Sequence, residues 1–192
     1  MIRFVNVEAL SIDRASFIGG DMCTIIAGFS YHLKDEFFSK VKKDASDNSL
    51  MENKENGNYR PHFYCLEDEK VKGLYWVVPI SSKVEKYRLI QEKKINKFGK
   101  CNTIVIGLFA GKENAFLIQN MFPVTAKYFD HIHRVSNLPI TIHSEVKESI
   151  ETNVKEVLSL TRAGENVLFA DIEHIERLML EEISLSLSEN QA

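Results

Sequence analysis

Hydrophobic positions along the chain switch between two spacings. Ile2, Phe4, Val5 and Val7 follow a near-alternating pattern and predict a short strand over 2–7. Residues 11–22 are weakly patterned, with Gly19-Gly20 marking a turn. From His32 to Ala45, Leu33, Phe37, Phe38 and Val41 fall at helical spacing and predict a helix. The stretch Asp44–Asn58 (DASDNSLMENKENGN) is polar and reads as a loop or insertion outside the core. Pattern resumes at Tyr59. The runs His62–Leu66 (HFYCL) and Gly73–Pro79 (GLYWVVP) are rich in aromatic and β-branched residues. They flank the polar turn Glu67-Asp68-Glu69-Lys70, which predicts an antiparallel hairpin over 59–80. Pro79 has no N–H for a ladder, so the second strand is expected to end or bulge there.

Ser81 or Ser82 then offers a cap for a helix running to about Lys97. Thr103–Phe109 (TIVIGLF) is the clearest strand. A second follows at Asn114–Ile118, and Pro123-Val124-Thr125 extends the sheet. Two helical stripes close the chain. Val146, Ile150, Val154, Val157 and Leu158 form the first, and Ile172, Ile175, Leu178, Met179, Ile183 and Leu187 the second, with a break at Gly164. Strands followed by helices make this an α+β chain.

Composition narrows the class. The 192 residues, 44% hydrophobic and 27% charged, suit one domain with a core that needs no staples. Within it, 1–140 reads as a barrel-like core with a helical insertion near 32–58, and 141–192 as a C-terminal helical part. Cys23, Cys65 and Cys101 are widely spaced and form no C-x-x-C pair, so neither disulfides nor zinc ligands are expected, and Cys65 and Cys101, in apolar strand-like runs, read as buried free thiols. No stretch approaches the roughly 20 apolar residues of a membrane helix, and the first residues lack a signal peptide's pattern. A cytoplasmic protein with no membrane partner is the expectation.

The net charge of −3 hides an uneven distribution. Between Lys83 and Lys100 stand seven basic residues against two acidic ones; from Glu145 onward, eleven acidic residues stand against four basic ones. A basic middle beside an acidic tail fits a polyanion-binding face, and equally two solvated helix faces.

The chemistry-bearing residues converge on the hairpin and the helix after it. In Pro79-Ile80-Ser81-Ser82-Lys83-Val84-Glu85-Lys86, two hydroxyls and the N–H groups of a helix start suit a phosphate, with lysines within reach. In Tyr59-Arg60-Pro61-His62, Arg60 can grip a phosphate with two donors and His62 can move a proton at neutral pH. The ordinary alternatives are a helix cap with solvated lysines, a strand-edge arginine and a half-exposed histidine.

The segments "YRPHFYCL", "GLYWVVPISSK" and "TIVIGLFAGKENAFLIQNMFPV", in this order across about 59–130, resemble the toxins of type III toxin–antitoxin systems, the ToxN/AbiQ group with its CptN and TenpN relatives. The resemblance implies a strongly bent antiparallel sheet or small β-barrel, MazF/Kid-like, with added helices. It implies a metal-independent endoribonuclease that leaves 2′,3′-cyclic phosphate and 5′-hydroxyl ends, without cofactor. The implied partners are an RNA substrate and a small pseudoknot antitoxin RNA, with a protein–RNA hetero-oligomer as the assembly. That group places a proline between the second hydroxyl residue and the lysine. Here Lys83 follows Ser82 directly, so Lys83 and Lys86 compete for one role. It also uses a tyrosine near the N-terminus; none precedes Tyr31, so that contribution is either absent or supplied by Tyr59.

The implied catalytic set is therefore Ser81, Ser82, Lys83, Lys86, Arg60 and His62, and the RNA-binding set Tyr59, Arg88, Lys93, Lys94 and Lys97. A non-catalytic RNA- or protein-binding module using the same basic face is the rival, and a structural adaptor working through its acidic helices a further one. Three minor signals remain. His131-Ile132-His133 with His143 hints at a metal, but only Asp130 supports it and none is expected. Asp130 with His131 or His133 also reads as an acid/base pair. Tyr75 and Trp76 can stack on bases, although neighbouring strand residues face opposite ways and at least one belongs in a core.

Overall fold

The computed structural model describes residues 25–26, 28–42, 49–55 and 57–189. The strand expected over 2–7, the turn at Gly19-Gly20 and Cys23 lie outside them, as do residues 43–48. In chain order the elements are β1 (Ser30–Leu33), α1 (Asp35–Val41), β2 (Lys54–Glu55), β3 (Asn58–Tyr59), β4 (His62–Glu67), β5 (Leu74–Ser81), α2 (Val84–Phe98), β6 (Val105–Phe109), β7 (Lys112–Phe116), β8 (Phe122–Thr125), β9 (Phe129–Ile132), β10 (Arg134–Val135), β11 (Leu138–Pro139), α3 (Ser144–Arg162) and α4 (Ile172–Glu189). The fold is α+β around one antiparallel sheet in the order β6-β7-β5-β4-β1-β9, with β8 also paired to β5. Among the described residues the sheet runs from β6 to β9 without closing into a barrel.

The hairpin expected over 59–80 is β4–β5, in register His62↔Pro79 and Phe63↔Val78. The turn between them is more than a solvated polar stretch. Asp68 is buried and accepts from the N–H groups of Lys70 (2.9 Å) and Val71 (3.2 Å) and from Trp76 Nε1 (2.9 Å), and Arg162 of α3 completes the set at 2.5 Å. Burial works against the charged carboxylate, but these donors outweigh it and hold the Asp68 acid below its usual range.

β5 does not stop at Pro79; it continues to Ser81. Successive residues of a strand aim their N–H groups to opposite sides. Ile80 donates toward β4, to the Pro61 carbonyl at 3.0 Å. The missing N–H of Pro79 therefore falls on the other edge, where β8 (opposite Leu74–Val77) gives way to β7 (opposite Ile80 and Ser81). A proline fits at that handover, and its carbonyl still accepts from Leu117 N–H at 3.0 Å.

Four further expectations are corrected. The helix predicted from His32 starts only at Asp35, because Ser30–Leu33 is a strand burying Tyr31 and Leu33 and leaving His32 on the other face. The polar stretch 44–58 is not wholly outside the core: Leu50 is buried in it, and buried Asn53 donates to the Leu33 carbonyl and to Asp35. Neither Ser81 nor Ser82 caps α2; Lys83 holds the N-cap position with no side-chain cap, while Ser81 Oγ accepts from Lys83 N–H at 3.3 Å. The second strand of the β6–β7 hairpin also starts two residues early, at Lys112, because Ala110 and Gly111 both adopt positive φ and make a two-residue turn.

The core joins Trp76, Tyr31, Phe37, Phe63, Phe116 and Phe122, all fully buried, with Ile150, Val154 and Val157 of α3 and Ile175 and Met179 of α4. Gly107 of β6 lets α3 approach: a Cβ there would lie 2.6 Å from Val146 Cγ1. Cys65 is buried as a free thiol, and Cys101 half-buried. No helix among the described residues is long and apolar enough to cross a membrane.

Candidate functional site

The antiparallel pairing of β4 and β5 puts the start of one beside the end of the other, so the two sequence motifs meet. Asn58-Tyr59-Arg60-Pro61 forms one wall of a cavity of about 270 Å³; Ile80, Ser82 and Lys83 form the facing wall. Asn114 supplies a third side, because β7 pairs with the end of β5 and sets Ala115 opposite Ser81. Asn114 has no sequence signal of its own; only this cross-strand neighbour places it. Its amide donates to the carbonyls of Phe109 (3.2 Å) and Lys112 (3.1 Å).

Arg60 is buried. Its Nη1 donates to the Ile80 carbonyl at 2.9 Å and its Nε to the Glu52 carbonyl at 3.2 Å. The guanidinium is thus a fixed positive charge in the wall rather than a strand-edge side chain reaching into solvent. Ser82 and Lys83 are exposed at the rim, whereas Ser81 is buried. Tyr59 is 44% exposed, its hydroxyl donating to Asp35 at 3.0 Å and its ring lying 4.2 Å from Lys54 Nζ.

The remaining candidates divide. Lys83 lines the cavity and Lys86 does not; Lys86 Nζ rests 5.3 Å from the Tyr87 ring centre. His62 is fully buried between Phe38 and Phe122 and does not line the cavity. Burial, with the charges of Arg60 and His32 adding to it, pushes its imidazole down to about 3. It therefore stays neutral at physiological pH, and the expectation that it moves a proton there is corrected.

On α2, Lys86, Lys93 and Lys97 are exposed and share one face at i, i+7 and i+11. Arg88 pairs with Glu113 at 3.0 Å and lies 3.9 Å from Glu85. Lys94 is the second correction. Its ammonium donates to Thr103 Oγ1 (2.7 Å) and Gln119 Oε1 (2.8 Å), and burial lowers its pKa. It faces the body of the protein, tying α2 down, and not the exposed lysine face.

Of the minor signals, Trp76 is buried on Asp68, and Tyr75 packs edge-on against Tyr64 and Phe129, so neither is a base platform. One acid of the C-terminal helices is internal. Glu182 accepts from Lys127 (2.8 Å), Tyr128 (2.5 Å) and Lys40, which pins α4 to α1 and to the turn after β8. Histidines 131 and 133 meet His32, a neighbour the sequence pattern does not announce. No protein-family model matches this chain, and no curated protein matches it.

Proposed function

We propose that the chain is a metal-independent endoribonuclease of the type III toxin group, inhibited by a small pseudoknot antitoxin RNA and acting in the cytoplasm. The observation that carries this reading is the meeting of Arg60 with Ser82 and Lys83 around one cavity, beside a helix face of exposed lysines. RNA brings its own nucleophile, the 2′-hydroxyl, so the protein's tasks are to hold a phosphate, stabilise the extra charge on the phosphorane and manage two protons. Arg60 supplies fixed charge, Ser82 a hydroxyl, and Lys83 the ammonium for the phosphorane. Lys86, Lys93 and Lys97 guide the strand along α2. The resembling group's bent, MazF/Kid-like sheet is supported by the way β5 shares one edge between β8 and β7.

The test is incubation of the purified chain with total RNA in EDTA, followed by mapping of fragment ends. Fragments with 2′,3′-cyclic phosphate and 5′-hydroxyl termini are expected. Salt-sensitive RNA binding without fragments, with or without added metal, would favour the non-catalytic binding module. No RNA affinity at low salt would leave the adaptor.

A further inference from the structure

We infer that the histidine cluster on β1 and β9 is the proton-transfer centre of the same groove, with His131 as the group that accepts the 2′-hydroxyl proton; this rests on the nuclease reading above. His32 on β1 is the register partner of His131 on β9, and their rings stack with centres 4.7 Å apart. His133 follows two residues on, on the same face, with its Nδ1 2.9 Å from His32 Nε2. His131 Nδ1 lies 2.9 Å from Asp130 Oδ2. A carboxylate accepts from Nδ1–H, and this tautomer leaves the lone pair on Nε2.

The cluster adjoins the groove through the sheet. Tyr31 pairs with His62, so His32 stands beside Pro61, and Ile80 N–H donates to the Pro61 carbonyl at 3.0 Å. Carrying the β1–β4 register one residue past its last pair, Tyr31↔His62, lines up His131, His32, Pro61 just before β4, and Ile80 of β5. His131 is two strand spacings, roughly 10 Å, from the groove wall, a span that two long side chains and a ribose phosphate bridge together. The Tyr59 ring, itself part of the groove wall, lies 6.4 Å from that of His32.

Two features favour proton transfer over metal binding. The facing nitrogens of His32 and His133 are joined to each other and do not converge on an ion, and no group of three such residues among those described is placed to hold one. The surroundings also suit a cation formed on His131. The titratable and charged groups near it are Asp130 and His133 on its own run and His32 on β1, with Tyr59, Lys54 and Asp35 beyond. Burial, with the neighbouring rings adding to it, lowers His32 to about 4 and lowers His133, which disfavours a charge on either ring.

In the step itself, His131 Nε2 takes the 2′-hydroxyl proton as the 2′-oxygen bonds to phosphorus. The P–O5′ bond breaks, and O5′ leaves with the electron pair and takes a proton from water. His131 then returns its proton to water.

The test is cleavage of total RNA in EDTA by the parent, His131→Gln and Asp130→Asn between pH 5 and 9. Binding of a 2′-O-methyl oligoribonucleotide and thermal unfolding are measured alongside. His131→Gln is expected to cut about 10²–10⁴-fold more slowly and to lose the rise of rate with pH, with binding unchanged. Asp130→Asn is expected to be slowed less, with that rise displaced. If the parent cuts while His131→Gln, or a folded Asp130→Asn should His131→Gln not fold, keeps the parental rate and pH profile, this inference falls and the nuclease reading stands. If the parent cuts no RNA, both fall.

Discussion

Arg60 Nη1 donates to the main-chain carbonyl of Ile80 at 2.9 Å, joining the two motifs that wall the groove. Arg60→Lys removes the fork that serves Ile80 and Glu52 together, and a lysine ammonium cannot reproduce its planar geometry. A loss of about 1–3 kcal/mol is expected, read in urea unfolding. A slower nuclease in this variant is therefore informative only beside its unfolding curve.

Lys83→Ala is expected to slow cleavage by about 10²–10³-fold, the usual effect of losing one donor to developing charge. Lys86→Ala, off the cavity, is expected to change the rate far less. Single-turnover rates at saturating RNA separate the two; equal rates for Lys83→Ala and parent would remove the lysine from the chemistry.

Lys94 and Lys97 are expected to part company although both sit on α2. Lys94→Ala leaves Thr103 and Gln119, both buried, without their donor, and stability should fall by about 1–3 kcal/mol. Lys97→Ala should leave the melting temperature alone and reduce the slope of log affinity against log salt by about 1. Calorimetry and a salt titration of RNA binding check the pair.

Gly107→Ala is expected to destabilise by about 1–3 kcal/mol. The added methyl meets both γ-carbons of Val146, at 2.6 and 2.7 Å, and a β-branched side chain on a helix cannot turn away. The double variant with Val146→Ala should recover part of the loss in the same denaturation assay.

Asp68 links stability to acid. Its folded-state pKa is depressed below the ordinary 3.8 despite burial. The stability it contributes is therefore complete above that ordinary value and is lost as pH falls through the lower folded one. Asp68→Asn should flatten the parental loss of melting temperature below about pH 4, while lowering stability at neutral pH because the amide's single oxygen cannot serve both the Lys70 and Val71 N–H groups and the Trp76 and Arg162 donors.

The α+β class, the β4–β5 hairpin, the basic helix and the two C-terminal helices were legible because each is written in local periodicity: aromatic runs about a polar turn, and apolar stripes at helical spacing. The sequence also brought Arg60, Ser82 and Lys83 forward as candidates. Where periodicity is short or two patterns abut, it misled. The alternation of Ser30–Leu33 ran on into the apolar positions of α1 and concealed a strand. Leu50 and Asn53 were hidden in a polar stretch whose burial depends on what packs over it.

What only the tertiary structure decided are facts about partners distant in the chain. Local spacing cannot tell Lys94 from Lys97; Thr103 and Gln119, brought under α2, make one a tie and leave the other in solvent. It cannot tell that His62 lies between Phe38 and Phe122, or that His32 meets His131 and His133 from a hundred residues away. Burial and charge at a side chain depend on everything around it, whereas helix and strand periodicity depend mainly on the few residues next along the chain.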